Sequence, residues 1–372
     1  MTKKANGASI EIDVKQLRAA LKDVVGVVEA RNTIPILSNV LITASGSALS
    51  IMGTDMDVYV ELHSAVADLA PGPTFTATVH AQTFGRIADK LPADARAKLV
   101  LDDGKLMVSA GRSRFQLPTL PATEFPSVPP TDWDAQFEIP AFGSVVHAIS
   151  SDETRYYLNG VFVHSVDADT SLRFATTDGH RLARAWIDAP EGALPMPDVI
   201  IPRKAVKMVS ALLDRHEGTV GVSVCRSRMA FEVGDTTLTT KMIDGTYPDY
   251  ARVIPSSADK LVQVERDALI DAIARVTTVS SDKTRVVKMV VARDLITLSV
   301  ASPEHGQAVE ELPCTYAGPE MTVGFNSKYW LDALGQMTAD MIDARFTVHD
   351  APSLWRDSAD SSALFVLMPT RV

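Results

Sequence analysis

Runs that alternate apolar and polar residues are broken at intervals by amphipathic stretches, and this order of elements recurs three times along the chain. Alternation of period two marks a half-buried strand, whereas apolar residues recurring at three and four mark a helix. A strand-like run followed by an amphipathic stretch begins at Ser9-Ile10-Glu11-Ile12, again at Gln136-Phe137-Glu138-Ile139 and again at Leu261-Val262-Gln263-Val264, about 125 residues apart each time. In the first module the pattern predicts a helix over Val14–Glu29, with Leu17, Leu21, Val24 and Val28 on one face, and a second over Ala81–Leu91. Strands are predicted over Asn39–Thr43, Ala48–Met52, Asp57–Leu62, Thr74–Val79, Lys98–Leu101, Lys105–Ser109 and Arg114–Thr119. The second module predicts helices over Phe142–Ile149 and Pro202–Leu213, and the third over Asp267–Thr277 and Lys328–Leu334, each set among short alternating strands.

Every module thus reads as two helices and about eight strands, an α+β class, with helices gathered on one surface and sheets on the other. Pro-rich stretches at Leu117–Pro126 and Met242–Pro248 end the first two modules. They place modules at 1–131, 132–254 and 255–372.

Of the 372 residues 46% are hydrophobic and 22% charged, as in an ordinary water-soluble protein. No apolar run is long enough to cross a membrane. Met1–Gly7 carries two lysines with no apolar stretch behind them, which reads as a frayed tail and not a signal peptide, so a cytoplasmic location is expected. Cys225 and Cys314 lie in apolar or strand-like contexts without zinc spacing, and no disulfide is expected. The net charge of −10 argues against nucleic acid only if the charge is evenly spread. It is not. Lys15, Arg18 and Lys22, Arg86 and Lys90, and Arg203, Lys204 and Lys207 form basic stripes on predicted helices, with Arg266, Arg275 and Lys328 as sparser counterparts. His147 alone marks the first helix of module two. Helices sharing one surface would make it locally positive and suited to phosphates.

Thr54-Asp55-Met56-Asp57 and Thr177-Asp178-Gly179-His180 look like fragments of a catalytic or metal site. Both follow the second strand after a module's first helix, where module three has Ser302-Pro303-Glu304-His305, so three β-turns are the simpler reading. A metal-dependent phosphoesterase built on Asp55, Asp57, Asp178 and His180 is the rival enzyme reading. A peptide-binding scaffold with no DNA role is the other rival. No phosphate-cradling glycine loop occurs, and no cofactor is expected.

Seven strings then appear in order: Arg31–Asn39, Gly111–Phe115, Arg155–Gly160, Thr177–Leu182, Pro202–Lys204, Tyr247–Tyr250 and Val366–Val372. Together they resemble the β subunit family of bacterial DNA polymerase III, the β sliding clamps, over nearly the whole chain after residue 9. The resemblance implies a non-catalytic processivity factor: a head-to-tail homodimer closed as a ring around duplex DNA, without sequence preference. It implies tethering of the polymerase III catalytic subunit, the clamp loader, and other polymerases and repair proteins through a short peptide. The peptide pocket it implies is lined by Leu158, Thr177, Gly179, His180, Arg181, Leu182, Pro248, Arg252, Val253, Val366, Met368, Pro369, Thr370, Arg371 and Val372. Implied DNA contacts are Arg31, Tyr156 and Tyr157, then Arg86, Arg203 and Lys204, with Lys15, Arg18 and Lys22 from the basic stripe. The implied seam pairs the strand edge Arg112–Leu117, with Arg114 and Phe115, against Val276–Lys283, with Thr278 and Val279. Three positions depart from the family pattern. Thr370 stands where a second Met is usual, Asp152 would repel phosphate, and Thr278-Val279 is smaller and more polar than the aliphatic pair expected.

Overall fold

The computed structural model describes residues 9–372 apart from 47, 66–67, 70–73, 140–142, 167–169, 217 and 281–284. The predicted tail Met1–Gly7 and the end of the seam segment at Lys283 lie outside the described residues. The fold is α+β with antiparallel sheets. Its helices are α1 (Val14–Val25), α2 (Ala81–Lys90), α3 (Arg203–Leu213), α4 (Arg266–Val276) and α5 (Ser327–Leu334).

Two predicted helices differ. Helix α1 is capped by Asp13, whose carboxylate accepts from Lys15 N at 2.8 Å, and it buries Leu17, Leu21 and Val24 as expected. It stops at Val25 and not at Glu29, because Gly26 followed by Val27 and Val28 is a weak helix former. Val27 and Val28 stay buried, which is why the apolar period looked unbroken. The helix predicted over Phe142–Ile149 is a short 3-10 helix, Gly143–Ala148, in which Gly143, Val145 and Val146 disfavour a full α-helix. Phe142 lies outside the described residues. Pro202 ends a strand, and α3 begins one residue later.

The sheets do not stop where the sequence modules stop. Residues 1–141 and 207–242 form one compact unit, and 142–206 and 243–372 form the other. Within the first, an eight-stranded sheet joins Thr236–Lys241 to Val58–Ala65, with Leu238 opposite Val60. Within the second, an eight-stranded sheet joins Ala363–Leu367 to Arg181–Asp188, with Phe365 opposite Ala183. The two junctions are the same connection: the last strand of one module pairs with the strand that follows the acidic turn of the module before it. A five-stranded sheet in the first unit ends on Ser113–Pro118, and a four-stranded sheet in the second ends on Gly306–Pro313.

The acidic turns repeat atom for atom. Thr54 Oγ1 donates to Val58 O at 2.8 Å, and Thr177 Oγ1 donates to Arg181 O at 2.7 Å. Asp55 Oδ1 accepts from the amides of Asp57 and Val58 at 3.0 and 2.7 Å. Asp178 Oδ1 accepts from those of His180 and Arg181 at 2.9 and 3.1 Å. The third residue has positive φ in both, 81° at Met56 and 92° at Gly179. In the shorter third turn His305 N donates to Ser302 Oγ at 3.3 Å. These carboxylates are committed to turn amides. Asp57 pairs with Lys241 Nζ at 2.9 Å. No group of three metal-ligating side chains occurs among the described residues.

Candidate functional site

The second acidic turn differs from the first in what surrounds it. Arg181, its side chain 8% exposed, donates from Nε to Asp178 Oδ2 at 3.0 Å and from Nη1 to Asp332 Oδ2 at 2.7 Å. Its guanidinium carbon sits 4.4 Å from the centre of the Tyr329 ring, a cation–π contact. His180 stacks on the same Tyr329, centroids 6.1 Å apart. On α5, Lys328 Nζ donates to Asp332 Oδ2 at 2.7 Å. Burial pushes the Asp332 carboxyl up, but the hydrogen bonds from Lys328 and Arg181 outweigh it and hold it below the usual carboxylate range. Arg155 lies across the turn, donating to Asp178 O at 3.0 Å. A Cβ at residue 179 would lie 2.7 Å from Arg155 Nη1, the mobile end of that side chain, and the φ of 92° favours glycine.

This turn forms one wall of an apolar site. Alternation along the strands puts Ala175, Leu182, Leu364 and Val366 on the sheet face opposite Thr176, whose hydroxyl donates to Val145 O at 2.6 Å in the Gly143–Ala148 helix. These four cluster with Leu158, Ile200, Tyr247 and Tyr250, and Tyr157, Phe162, Ile243, Ile254 and Leu354 pack against them. Around the cluster apolar side chains stay open to solvent: Val253 is 46% exposed, Met368 40% and Val372 63%. Thr177 is half-buried, Gly179, His180, Pro248 and Arg252 are exposed, and Arg252 pairs with Asp249 at 2.8 Å. The tail beyond the last strand, Ala363–Leu367, is anchored twice: Met368 N donates to His180 O at 3.0 Å and Thr370 N to Gly324 O at 2.8 Å. Pro369 is half-buried, and Thr370 and Arg371 are exposed. The predicted pocket residues all belong to the second unit. Asn326, Tyr329 and Asp332 support this wall and were not anticipated. The i, i+4 spacing of Lys328 and Asp332 was the one signal available.

The basic residues divide into two groups. Lys15, Lys22, Arg31 and Arg86 are exposed. Arg18 instead closes the end of α2, donating to Ala88 O at 3.3 Å and Leu91 O at 2.9 Å. Together α1 and α2 border a groove of about 660 Å³ lined by Arg18, Lys22, Arg86 and Asp89. Tyr156 and Tyr157 stand edge to face on the 3-10 helix Glu153–Leu158, 5.8 Å apart, with Tyr156 53% exposed. Arg203 and Lys204 are half-buried at the start of α3, and the Arg203 guanidinium contacts Ser150 O. The counterparts in module three are held by acids: Arg275 chelates Glu310, Arg266 meets Asp267, and Lys328 meets Asp332. His147 is half-buried near Arg181, and loss of solvent with that charge pushes its pKa down to about 4, so it is neutral at pH 7. Asp152 is held down to about 2 by the Thr154 hydroxyl, Arg155 and the Thr154 amide. It salt-bridges Arg155 at 2.9 Å.

Residues 8–129, 140–249 and 251–371 match, in order, the N-terminal, central and C-terminal domains of the DNA polymerase III β subunit. The β sliding clamp of Caulobacter vibrioides is 41% identical over 98% of this chain and 100% of its own length. The chain belongs to the β sliding clamp family. The Escherichia coli clamp is 33% identical over 97% of this chain and 99% of its own. A sliding clamp from Bartonella birtlesii, solved bound to griselimycin, superposes with a TM-score of 0.94 at 37% identity, covering 99% of this chain and all of that one. The chain therefore shares a whole three-domain sequence with DNA sliding clamps.

Proposed function

We propose that this clamp closes as a head-to-tail homodimeric ring around duplex DNA and tethers its partners through the apolar site beside His180. One observation carries the reading. The strand junction between successive modules is used twice, at Leu238–Val60 and Phe365–Ala183. One half of it is left over at each end of the repeat. Ser113–Pro118, the last strand of module one, ends its sheet, and so does Gly306–Pro313, the strand after the acidic turn of module three. An exposed edge is a template for pairing, and a third use of the same junction between two copies extends a sheet across the seam. A heterologous contact of this kind forms a ring when its rotation closes.

Of the expected seam segment Val276–Lys283 the described part has no extended edge, since Val276 ends α4 and Thr277–Val279 is a 3-10 turn. It packs against Gly306–Pro313, which does. Thr278 and Val279 then flank the seam. Gly111 and Gly234 turn the hairpins before the end strands with matching φ of 57° and 56°, which makes Phe115 the counterpart of Leu238. Inward-facing Ala308 is the counterpart of Val60 and Ala183. Carrying the register over places Phe115 opposite Ala308 and Arg112 opposite Glu311, with Arg114 and Leu117 alongside.

Lys15, Lys22, Arg31, Arg86, Tyr156, Tyr157, Arg203 and Lys204 supply phosphate contacts without base readout, which lets the ring slide. Arg18 contributes by holding α2. The clamp works in the cytoplasm without catalysing a reaction, and its three modules divide near 131 and 255. Tethering raises the local concentration of the polymerase III catalytic subunit, the clamp loader, and other polymerases and repair proteins at the template.

The test loads the protein on nicked circular DNA and then linearises the circle. A ring slides off the new ends. Equal retention on linear and circular DNA overturns the reading. Native mass is a second measure, with a dimer of the 40.1 kDa chain expected.

A further inference from the structure

Four rings interlock at the apolar cluster. Phe162 and His164 share one face of the strand Gly160–Ser165, while Val161 and Val163 are buried on the other. Phe162 stacks on Tyr247 with centroids 4.7 Å and planes 6° apart, and His164 stacks on Phe162 at 4.7 Å and 20°. Tyr250 stands edge-on to both, 6.5 Å from Phe162 and 5.7 Å from His164. Tyr247 and Tyr250 are buried members of the cluster, with Leu182, Leu364 and Val366. His164 Nδ1 lies 3.1 Å from Ser165 O, and Nε2 lies 2.8 Å from the Tyr250 hydroxyl. A carbonyl only accepts, so Nδ1 carries the ring proton and Nε2 accepts from the hydroxyl. Arg173, opposite His164 on the neighbouring strand, hydrogen-bonds the same hydroxyl. The donors therefore run one way, from Arg173 to Tyr250 and from Tyr250 to His164. Burial pushes the His164 pKa down, helped by the charges of Arg173 and Arg184 and opposed by the Ser165 carbonyl and Asp198. Burial pushes the Tyr250 hydroxyl up, helped by Asp249 and opposed by Arg184 and Arg173, so the hydroxyl keeps its proton.

Tyr250 is also the first residue of the 3-10 helix Tyr250–Val253, whose N-cap Asp249 makes no side-chain cap and whose Arg252 and Val253 line the proposed peptide site. We propose that His164 positions this linker wall, holding the Tyr250 ring against the cluster by accepting its hydroxyl at Nε2. The inference rests on the peptide-site reading above and adds to it a positioning residue outside the lining and a dependence on acid. Protonation turns Nε2 from acceptor into donor. The Tyr250 hydroxyl then meets donors from both His164 and Arg173, and its own hydrogen loses its acceptor. The same step adds a positive charge beside Arg173 and Arg184. The neutral ring and the seated wall thus favour each other, and a peptide resting on the wall favours the neutral ring in turn. Bound peptide should lower the His164 pKa further. By the same linkage, affinity should fall as pH drops through the free clamp's His164 value, which lies below the ordinary 6.5.

The test measures anisotropy of one labelled clamp-binding peptide, taken from a polymerase of the same cell, from about pH 7.5 to about pH 5. Using one peptide throughout makes its own titration common to every form of the clamp. Affinity for the unaltered clamp should fall about three- to tenfold across that range. His164→Leu, without an acceptor, should bind several-fold more weakly at the upper pH. His164→Gln, which keeps an acceptor, should recover most of that loss with a flatter pH profile, its residual slope being that of His180 and the peptide. The His164 Cε1–H signal of the unaltered clamp, followed by NMR, should titrate below 6.5 and move lower when peptide saturates the site. A profile in His164→Gln as steep as that of the unaltered clamp, or a His164 titration that saturating peptide leaves unmoved, overturns the inference while leaving the peptide site standing. The NMR arm uses the unaltered clamp and so decides even where a substitution fails to fold. Failure of the peptide to bind the unaltered clamp at the upper pH overturns the peptide site and the inference together.

Discussion

Arg181 and Asp332 are joined at 2.7 Å, guanidinium Nη1 to carboxylate Oδ2, and this bond ties the strand after the second acidic turn to helix α5. Removing one partner of a largely buried pair leaves the other uncompensated. Asp332 is 29% exposed, so solvent screens part of the effect. Asp332→Asn is expected to lower stability by about 2 kcal/mol, read as a lower urea midpoint at unchanged slope. Because the folded carboxyl is held below its unfolded value, its contribution is present above the unfolded pKa. It is lost as pH falls through the folded one.

His147 is held neutral where Asp332 is held charged. Burial and the Arg181 charge lower its folded pKa to about 4 from 6.5. Between those values the unfolded chain binds more protons than the folded one, so stability falls as pH drops from about 6.5 toward 4. In His147→Gln the urea midpoint should fall less steeply across that window than in the unaltered protein.

Arg18 and its helical neighbours Lys15 and Lys22 should separate on mutation. Charge reversal of exposed Lys15 and Lys22 should cut retention on DNA and flatten its salt dependence, with thermal stability unchanged. Arg18→Glu should lower the melting temperature as well, because it strips donors from Ala88 O and Leu91 O and places a carboxylate at the negative end of α2. Equal melting temperatures for the two variants would remove the structural role assigned to Arg18.

The seam makes a charge-exchange prediction. Arg112→Glu and Glu311→Arg should each weaken the dimer, and the double exchange should recover much of the loss, as measured by sedimentation. If the double variant is as weak as the sum of the singles, the Arg112–Glu311 register is wrong.

Gly324 meets the tail so closely that a Cβ there would collide with Thr370 O and Val372 Cγ1. Gly324→Ala should displace Thr370–Val372, whose anchor is the 2.8 Å bond from Thr370 N to Gly324 O. Peptide affinity should fall several-fold while dimer mass and DNA retention hold.

Much of the fold was legible because it is local. Strand alternation places the sheets, and the repeated Thr-Asp turn is readable because its hydrogen bonds run only two to four residues along the chain. Lost to the reading were the 3-10 helices Pro35–Ser38, Glu153–Leu158 and Tyr250–Val253, which are too short to show a period. Val27 and Val28 kept a helical rhythm without a helix, because burial and helicity are separate requirements.

For the proposed peptide site, the sequence by itself singled out three segments: the turn at Thr177–Leu182, the linker at Tyr247–Tyr250 and the tail at Val366–Val372. Tertiary structure decided what each residue does there. Arg18, Arg266 and Arg275 look like one class of surface cation, yet each is drawn into a bond with a carbonyl or carboxylate brought near by folding. The strand junctions belong to the same category. A strand's alternation says which side chains face inward, but its neighbour is set by backbone hydrogen bonding between distant segments, which local periodicity does not encode. The threefold order of elements was present in the residues from the start. That its repeated junction leaves one open edge at each end appeared only once Leu238 stood opposite Val60 and Phe365 opposite Ala183.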